Sequence, residues 1–312
     1  MYDMHYDLLT YLYIKKGKIL ENIYLNNING GIINLYFMDV NTMEKELNIS
    51  KKECLDLVNT FKKSIIYLEK FKKQKNINPK FIYSIEGCSY LNINDLEKLY
   101  ELGLRSIMIT WNYDNKYGGG TYGTNCLTKE GETLIKKAID LNMIIDLSHA
   151  NEQTFNDIIN LLQKEKQKGK KINVIASHSN SYTLNNHKRN LKDYQIKNLI
   201  NLGGKIGLVC YLPFLDSNYK TNTKEENLYS LVKHINYLIN DLNIGKENIC
   251  ISTDDMAFIN DYKTYLFELN NFNKEIRNYL LRYFSKTDID MFLENNFLNI
   301  KNDMCKFDKN IK

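Results

Sequence analysis

Residues 144–149 read IIDLSH, and residues 174–179 read VIASHS. Each is a short apolar, β-branched run that arrives at a histidine. Runs of this kind, bounded by turns, are the pattern of strands buried on both faces of a parallel sheet. Three further strings share the form: DMHYD at 3–7, SIEG at 84–87 and ISTDD at 251–255. Together they present His5, Asp7, Glu86, His149, His178 and Asp254, each where a strand runs out.

Working outward from these strings, eight strands are expected: Tyr2–Asp7, Gly31–Met38, Phe81–Glu86, Ser106–Trp111, Met143–Ser148, Asn173–Ser177, Lys205–Leu212 and Asn248–Thr253. Most are separated by segments of helical period. Residues 42–74 carry Leu47, Cys54, Leu55, Leu57, Val58, Phe61, Ile65 and Ile66 at three- and four-residue steps. Residues 94–102, 129–141, 151–166, 191–202 and 225–241 read likewise, and the first connection, 10–29, is the poorest helix of the series. Asn92, Asn94–Asp95 and Thr128 stand where helices should start; Gly103 and Gly203–Gly204 stand where they should stop. Strand–helix alternation repeated eight times over about 260 residues is the arithmetic of an α/β fold of the (β/α)8, TIM-barrel type. Two or three more helices, Leu266–Phe272, Asn273–Phe284 and Thr287–Asn295, are expected to close or cover the barrel.

The 312 residues are 43% hydrophobic and 25% charged, enough for one large core. Two prolines and 15 glycines leave little for a linker, so a single domain is expected, with 1–260 as barrel and 261–312 as the C-terminal helices. A net charge of +5 is mild, and the lysines form no stripe. The run Lys164 to Lys171 reads as the solvated end of a helix. Nucleic-acid binding is therefore not expected. The N-terminus has no basic segment followed by an apolar stretch, and no run approaches the ~20 apolar residues of a membrane span. Six cysteines without CxxC spacing suit reduced, buried thiols. A cytoplasmic protein without disulfides or membrane attachment is the expectation.

His5-x-Asp7 puts two donors on one face of an extended strand, where they can bind one metal ion. Glu86 has two carboxylate oxygens and can bridge two ions. His149 and His178, from adjacent strands, can hold the second. Nitrogen and oxygen donors of this kind suit zinc-class metals. Two ions about 3.5–4 Å apart clamp a shared water and lower its pKa toward ~7, so a bridging hydroxide would be available to attack a polarised carbonyl. His187, in a polar loop, and His234, on a helical segment, are read instead as surface or structural residues.

The order and spacing of these motifs resemble the membrane (renal-type) dipeptidase family of zinc peptidases, within the amidohydrolase-like barrels. The resemblance runs through His5-Tyr6-Asp7, the IEG run at Glu86, the stretch from Leu102 to Asn112, the two histidine-bearing runs, Arg189-Asn190 and the STD run at Asp254. It implies a binuclear zinc dipeptidase in which His5 and Asp7 bind one ion, Glu86 bridges, and His149 and His178 bind the other. Arg189 would pair with the C-terminal carboxylate of a dipeptide, a role its planar fork suits. Asp254 would sit near the bridging water and the free amine, as proton carrier or anchor. A homodimer is the candidate assembly.

Two departures stand out. Many members carry a histidine after the threonine at the end of strand 4, thought to stabilise the oxyanion; here Trp111 and Asn112 follow Thr110 and become candidate substrate contacts. The family's Asp-x-Asp-Gly after strand 8 reads Asp254-Asp255-Met256-Ala257. The Gly- and Tyr-rich stretch 113–125 reads as a mobile flap or as an ordinary long loop. Two other functions compete with the dipeptidase. One is another amidohydrolase-type reaction, such as opening a cyclic amide or lactam. The other is a binding homologue with weakened catalysis. Phosphoesterase barrels beginning with HxH are disfavoured by the His-x-Asp motif.

Overall fold

The computed structural model describes residues 1–17, 28–36, 43–44, 49–255, 266 and 271–301. Eight parallel strands lie in sequential order: β1 (Tyr2–Tyr6), β2 (Gly30–Tyr36), β3 (Lys80–Glu86), β4 (Leu104–Met108), β5 (Ile144–Asp146), β6 (Asn173–Ala176), β7 (Lys205–Val209) and β8 (Ile249–Ser252). Helices run between them, which is the (β/α)8 arrangement read from the alternation. The first and last strands meet without a full ladder. Tyr6 bridges to Asp255, the Asp7 N–H donates to the Asp255 carbonyl at 3.2 Å, and the Asp254 N–H donates to the His5 carbonyl at 3.1 Å.

Several strands end earlier than their apolar runs suggest, because side chains and neighbouring loops claim the backbone. Asp146 Oδ1 accepts the Ser148 N–H at 3.0 Å, a turn that ends β5 two residues before Ser148. The carbonyls of Met108 and Ile109 accept from Gly87 and Cys88, so β4 leaves the ladder before Trp111. Pro213 sits at the start of the short helix Leu212–Leu215, which follows β7 closely. Phe37 and Met38 of the second expected strand lie outside the described residues.

Of the expected helix 42–74, residues 42 and 45–48 lie outside the described residues, and residues 51–74 fall in two helices. Ser50 and Glu53 form a capping box that starts Lys51–Leu55, and the Asp56 carboxylate caps the next, Leu57–Lys75. Thr128 caps Lys129–Asp140 and Asn151 caps Glu152–Gln167. The segment expected over 225–241 forms Lys224–Asn236 and continues as a π-helical turn, Tyr237–Asp241. Of the helix expected at Leu266–Phe272, residues 267–270 lie outside the described residues; Phe272 opens the helix Phe272–Leu280. Cysteines 54, 88, 126, 210 and 250 are free thiols, and Cys305 lies outside the described residues. Among the described residues no helix is long and apolar enough to cross a membrane.

One apolar layer lies between strands and helices, and a smaller one fills the barrel. The inner cluster comprises Tyr2, Met4, Ile32, Ile82, Ile144, Ile175, Cys250 and Phe297. Phe297 belongs to the final helical segment, Lys286 to 301, and stacks on Tyr2 with ring centroids 4.9 Å apart. The last helix thus plugs the barrel from the end at which the strands begin. Between Asp3 and Tyr6 the register of β1 against β2 slips by one residue. This extra residue lets Met4 join the inner layer while His5 also turns inward, beside Glu86.

Two buried polar residues hold this frame together. The Asp3 carboxylate spans the β1–β8 seam. Its Oδ1 accepts from the backbone N–H of His5 at 3.1 Å and of Thr253 at 2.9 Å, and its Oδ2 accepts from the Thr253 hydroxyl at 2.5 Å. Asp3→Ala strands these buried donors at ~1–3 kcal/mol each, and urea unfolding should show a loss of roughly 3 kcal/mol or more. His234 is a neutral structural residue: its Nδ1 accepts from the Ser181 N–H at 3.2 Å and its Nε2 donates to the Leu215 carbonyl at 3.0 Å. Burial lowers its pKa to about 4. The unfolded chain therefore takes up this proton first as the pH falls from about 6.5 to 4, and stability is lost across that window. At about 1.4 kcal/mol per unit, the His234 contribution is roughly 3 kcal/mol. Urea unfolding of His234→Gln should show an acid-side loss smaller than wild type by that order.

Candidate metal centre

Glu86, the last residue of β3, lies at the middle of the barrel mouth. Its Oε2 is 2.9 Å from His5 Nε2, and its Oε1 is 3.0 Å from His149 Nε2 and 3.8 Å from His178 Nε2. His5 Nε2 is also 3.7 Å from Asp7 Oδ1 and 3.8 Å from Asp254 Oδ1. Three sets of donors each gather within 4.8 Å: His5, Asp7 and Glu86; Glu86, His149 and His178; His5, His178 and Asp254. The structure therefore brings together all six strand-end residues of the sequence reading. Asp7 Oδ1 and His178 Nε2 are buried and have no hydrogen-bond partner among the described residues. Such atoms are costly unless something else meets them. A divalent cation at each of the first two sets would, so the donor set fits metal ions.

The electrostatics follow from packing these groups away from water. Burial opposes charge on His5, but Glu86, Asp7 and Asp254 outweigh it and raise its pKa to about 10. Burial likewise opposes charge on Glu86, yet His5 and His149 hold its carboxyl below the usual range. Asp7 is pushed well up by burial and by the Glu86 charge. Burial raises Asp254 to about 7 and, with Arg189 nearby, lowers His149 to about 3. His178 is held neutral by burial and by the charges of His5 and Arg189.

Backbone strain is concentrated here too. His149 (φ 66°) and Asp254 (φ 55°) adopt the left-handed conformation that L-residues avoid, and Gly87 after Glu86 does the same at 77°. Three chain segments leaving the barrel thus turn sharply at or beside a site residue.

The histidines are held from behind. His5 Nδ1 lies 3.1 Å from Ser177 Oγ and 3.2 Å from the Asn34 amide, and His178 Nδ1 lies 2.8 Å from the same Ser177 Oγ. His149 Nδ1 lies 3.0 Å from Asn112 Oδ1, which accepts its N–H. Asn112 therefore orients a histidine. Its sequence reading as a substrate contact did not anticipate this. Neither Asn34 nor Ser177 was singled out from sequence; the only signal for Ser177 is its place beside His178.

Trp111 packs edge-on against Tyr36, with ring centroids 5.1 Å apart, and its ring centroid lies 6.0 Å from that of His149. The stretch 113–125 is a fitted wall. The Tyr117 hydroxyl donates to the Leu91 carbonyl at 2.6 Å, and the Gly119 N–H donates to Thr154 Oγ1 at 2.9 Å. A Cβ on Gly120 would lie 2.1 Å from the Trp111 carbonyl oxygen, so only glycine allows this approach. Tyr113 and Tyr122 stand exposed on the rim.

Beside the donor cluster is a cavity of about 220 Å³ lined by His149, Arg189, Thr121, Asn151, Tyr182 and Lys188, among others. Arg189 is 4% exposed; one guanidinium nitrogen donates to the His178 carbonyl at 3.0 Å, and its Nε has no partner among the described residues. His187 lies outside the cluster. Its Nδ1 accepts the Arg189 N–H at 3.2 Å, which steadies the arginine's loop. Met256 and Ala257, where the sequence departs from the family after strand 8, lie outside the described residues.

The family model of membrane dipeptidases, peptidase family M19, matches residues 26–312. An uncharacterised protein of the pqqA 5′ region of Klebsiella pneumoniae is 32% identical over 168 residues, covering 51% of this chain and 58% of that protein. Another, from the PQQ-III 3′ region of Acinetobacter calcoaceticus, is 31% identical over 171 residues, covering 51% of this chain and 50% of that protein. The chain thus spans about half the length of the curated relatives it matches. A crystal structure of a metallopeptidase from Rhodobacter sphaeroides, liganded with a phosphinate mimic of the dipeptide L-Ala-D-Ala, matches with a TM-score of 0.75 at 18% identity, covering 96% of this chain and 97% of that one. At that identity the likeness is one of fold. With the family model matched over nearly its whole length, this chain belongs to the membrane dipeptidase family, peptidase family M19.

Proposed function

We propose that the protein is a binuclear metallodipeptidase, with zinc as its metal. His5 and Asp7 would hold one ion, His149 and His178 the other, and Glu86 would bridge. The observation that carries this reading is the pair of buried ligand atoms without a hydrogen-bond partner among the described residues, Asp7 Oδ1 and His178 Nε2, one in each of two donor sets that share Glu86. Bound there, the ions would polarise a peptide carbonyl and make a water-derived nucleophile available at neutral pH.

The chain's own groups would do the rest. Arg189 lines a small cavity, and its guanidinium fork is suited to a substrate's C-terminal carboxylate. At about 220 Å³ the cavity is small beside the ~300 Å³ and more of common ligand pockets. Asp254, with Oδ1 3.8 Å from His5 Nε2, stands beside the proposed centre, placed to carry a proton or to take the substrate's amine. Trp111 offers an indole N–H and a ring face to the substrate but no transferable proton.

Metal analysis paired with a dipeptide panel tests the reading. Wild type should carry about two ions per chain and lose cleavage on chelation. Glu86→Gln should lose both occupancy and activity. Undiminished cleavage after complete metal removal would sink the mechanism, and hydrolysis of cyclic amides with no dipeptide cleaved would move the protein to the amidohydrolase alternative. Removing a buried charge partner costs ~2–5 kcal/mol. Arg189→Met should therefore lower kcat/KM for dipeptides by about 30-fold or more and abolish discrimination against C-terminal amides. Equal cleavage of tripeptides by wild type would refute the length-measuring role of Arg189.

A further inference from the structure

Ser177 is fully buried behind the donor cluster, and its hydroxyl touches the Nδ1 atoms of two histidines, His5 and His178. One belongs to each half of the proposed centre. A histidine that binds a metal through Nε2 carries its proton on Nδ1 and donates it. Two such N–H groups fill both lone pairs of one hydroxyl, so the hydroxyl's single proton must go to a third group. Asn34 already faces His5 Nδ1 at 3.2 Å. A carboxylate acceptor stands beside Ser177: Asp146, at the end of β5. Its Oδ1 accepts the backbone N–H groups of Ser148 and Ser177, both at 3.0 Å, while its Oδ2 is buried with no partner among the described residues. The bond from the Ser177 N–H sets this carboxylate beside that residue. The backbone there has no freedom: a Cβ on Gly207 would lie 2.0 Å from the Ser177 carbonyl oxygen.

We propose that Asp146 and Ser177 are positioning residues for both metal sites. The Asp146 carboxylate accepts a hydrogen bond from the Ser177 hydroxyl, and the Ser177 oxygen then holds His5 and His178 in the ligand tautomer together. Asn112 backs only His149, so its influence is confined to one half of the centre.

The inference rests on the metal-centre reading, and its test uses zinc alone. Competitive zinc titration against a chromophoric chelator is run on the full chain as wild type, Ser177→Ala, Asp146→Asn and Asn112→Ala. Asp146→Asn is near-isosteric and directs an amide donor at the hydroxyl; it keeps the test informative if Ser177→Ala folds poorly. Ser177→Ala and Asp146→Asn should each lose about 10- to 100-fold in affinity at both sites. Asn112→Ala should lose affinity at one. In zinc-loaded, 15N-histidine-labelled protein, the Nδ1–H signals of His5 and His178 should move in Asp146→Asn while that of His149 stays. Wild-type affinity at both sites in Asp146→Asn, or equal movement of all three signals, would overturn the positioning role. Failure of wild type to bind zinc would overturn the metal-centre reading and this inference with it.

Discussion

The mouth of the barrel depends on one buried carboxylate, Glu86, with an imidazole at hydrogen-bond distance from each of its oxygens. Burial alone would protonate it. Instead the cationic His5 and the bond from His149 keep it ionised. The same contacts draw strands from different parts of the barrel to one point. Without Glu86, Asp7 and Asp254 would face His5 alone, and His149 and His178 would lose the charge they converge on. A buried ion cluster of this kind is poor evidence for stability, because the desolvation cost rivals the attraction. Its persistence alongside two left-handed non-glycine residues, His149 and Asp254, is better explained by a function that needs the geometry.

That geometry is held from below and behind. The Asp3 carboxylate clasps Thr253 across the seam and accepts the His5 N–H, so the groups before and after the seam move as one. Phe297 and Tyr2 plug the floor. The rigid parts of the molecule therefore lie directly beneath the reactive ones, an arrangement that suits ligands held to fractions of an ångström.

Trp111 stands where the family resemblance led us to expect a histidine, Asn112 follows it, and the structure separates their contributions. Asn112 turns inward and holds His149. Trp111 stays at the rim, against Tyr36. The departure therefore touches the support of His149 as well as the rim.

The sequence by itself determined the barrel and the identity of its rim donors. Short apolar runs are local features, and eight of them alternating with helices, five ending in His, Asp or Glu, admit few folds. Strand ends were less legible, because β5 stops where the Asp146 side chain captures a backbone N–H and β4 where the loop after β3 claims its carbonyls. Only the tertiary structure decided which residues stand behind the donors. Asn34, Ser177 and Asp146 come from three different strands or strand ends and look like ordinary polar residues in sequence. Their roles arise from hydrogen bonds between groups many residues apart, and one-dimensional spacing carries no record of which nitrogen of a histidine faces which oxygen.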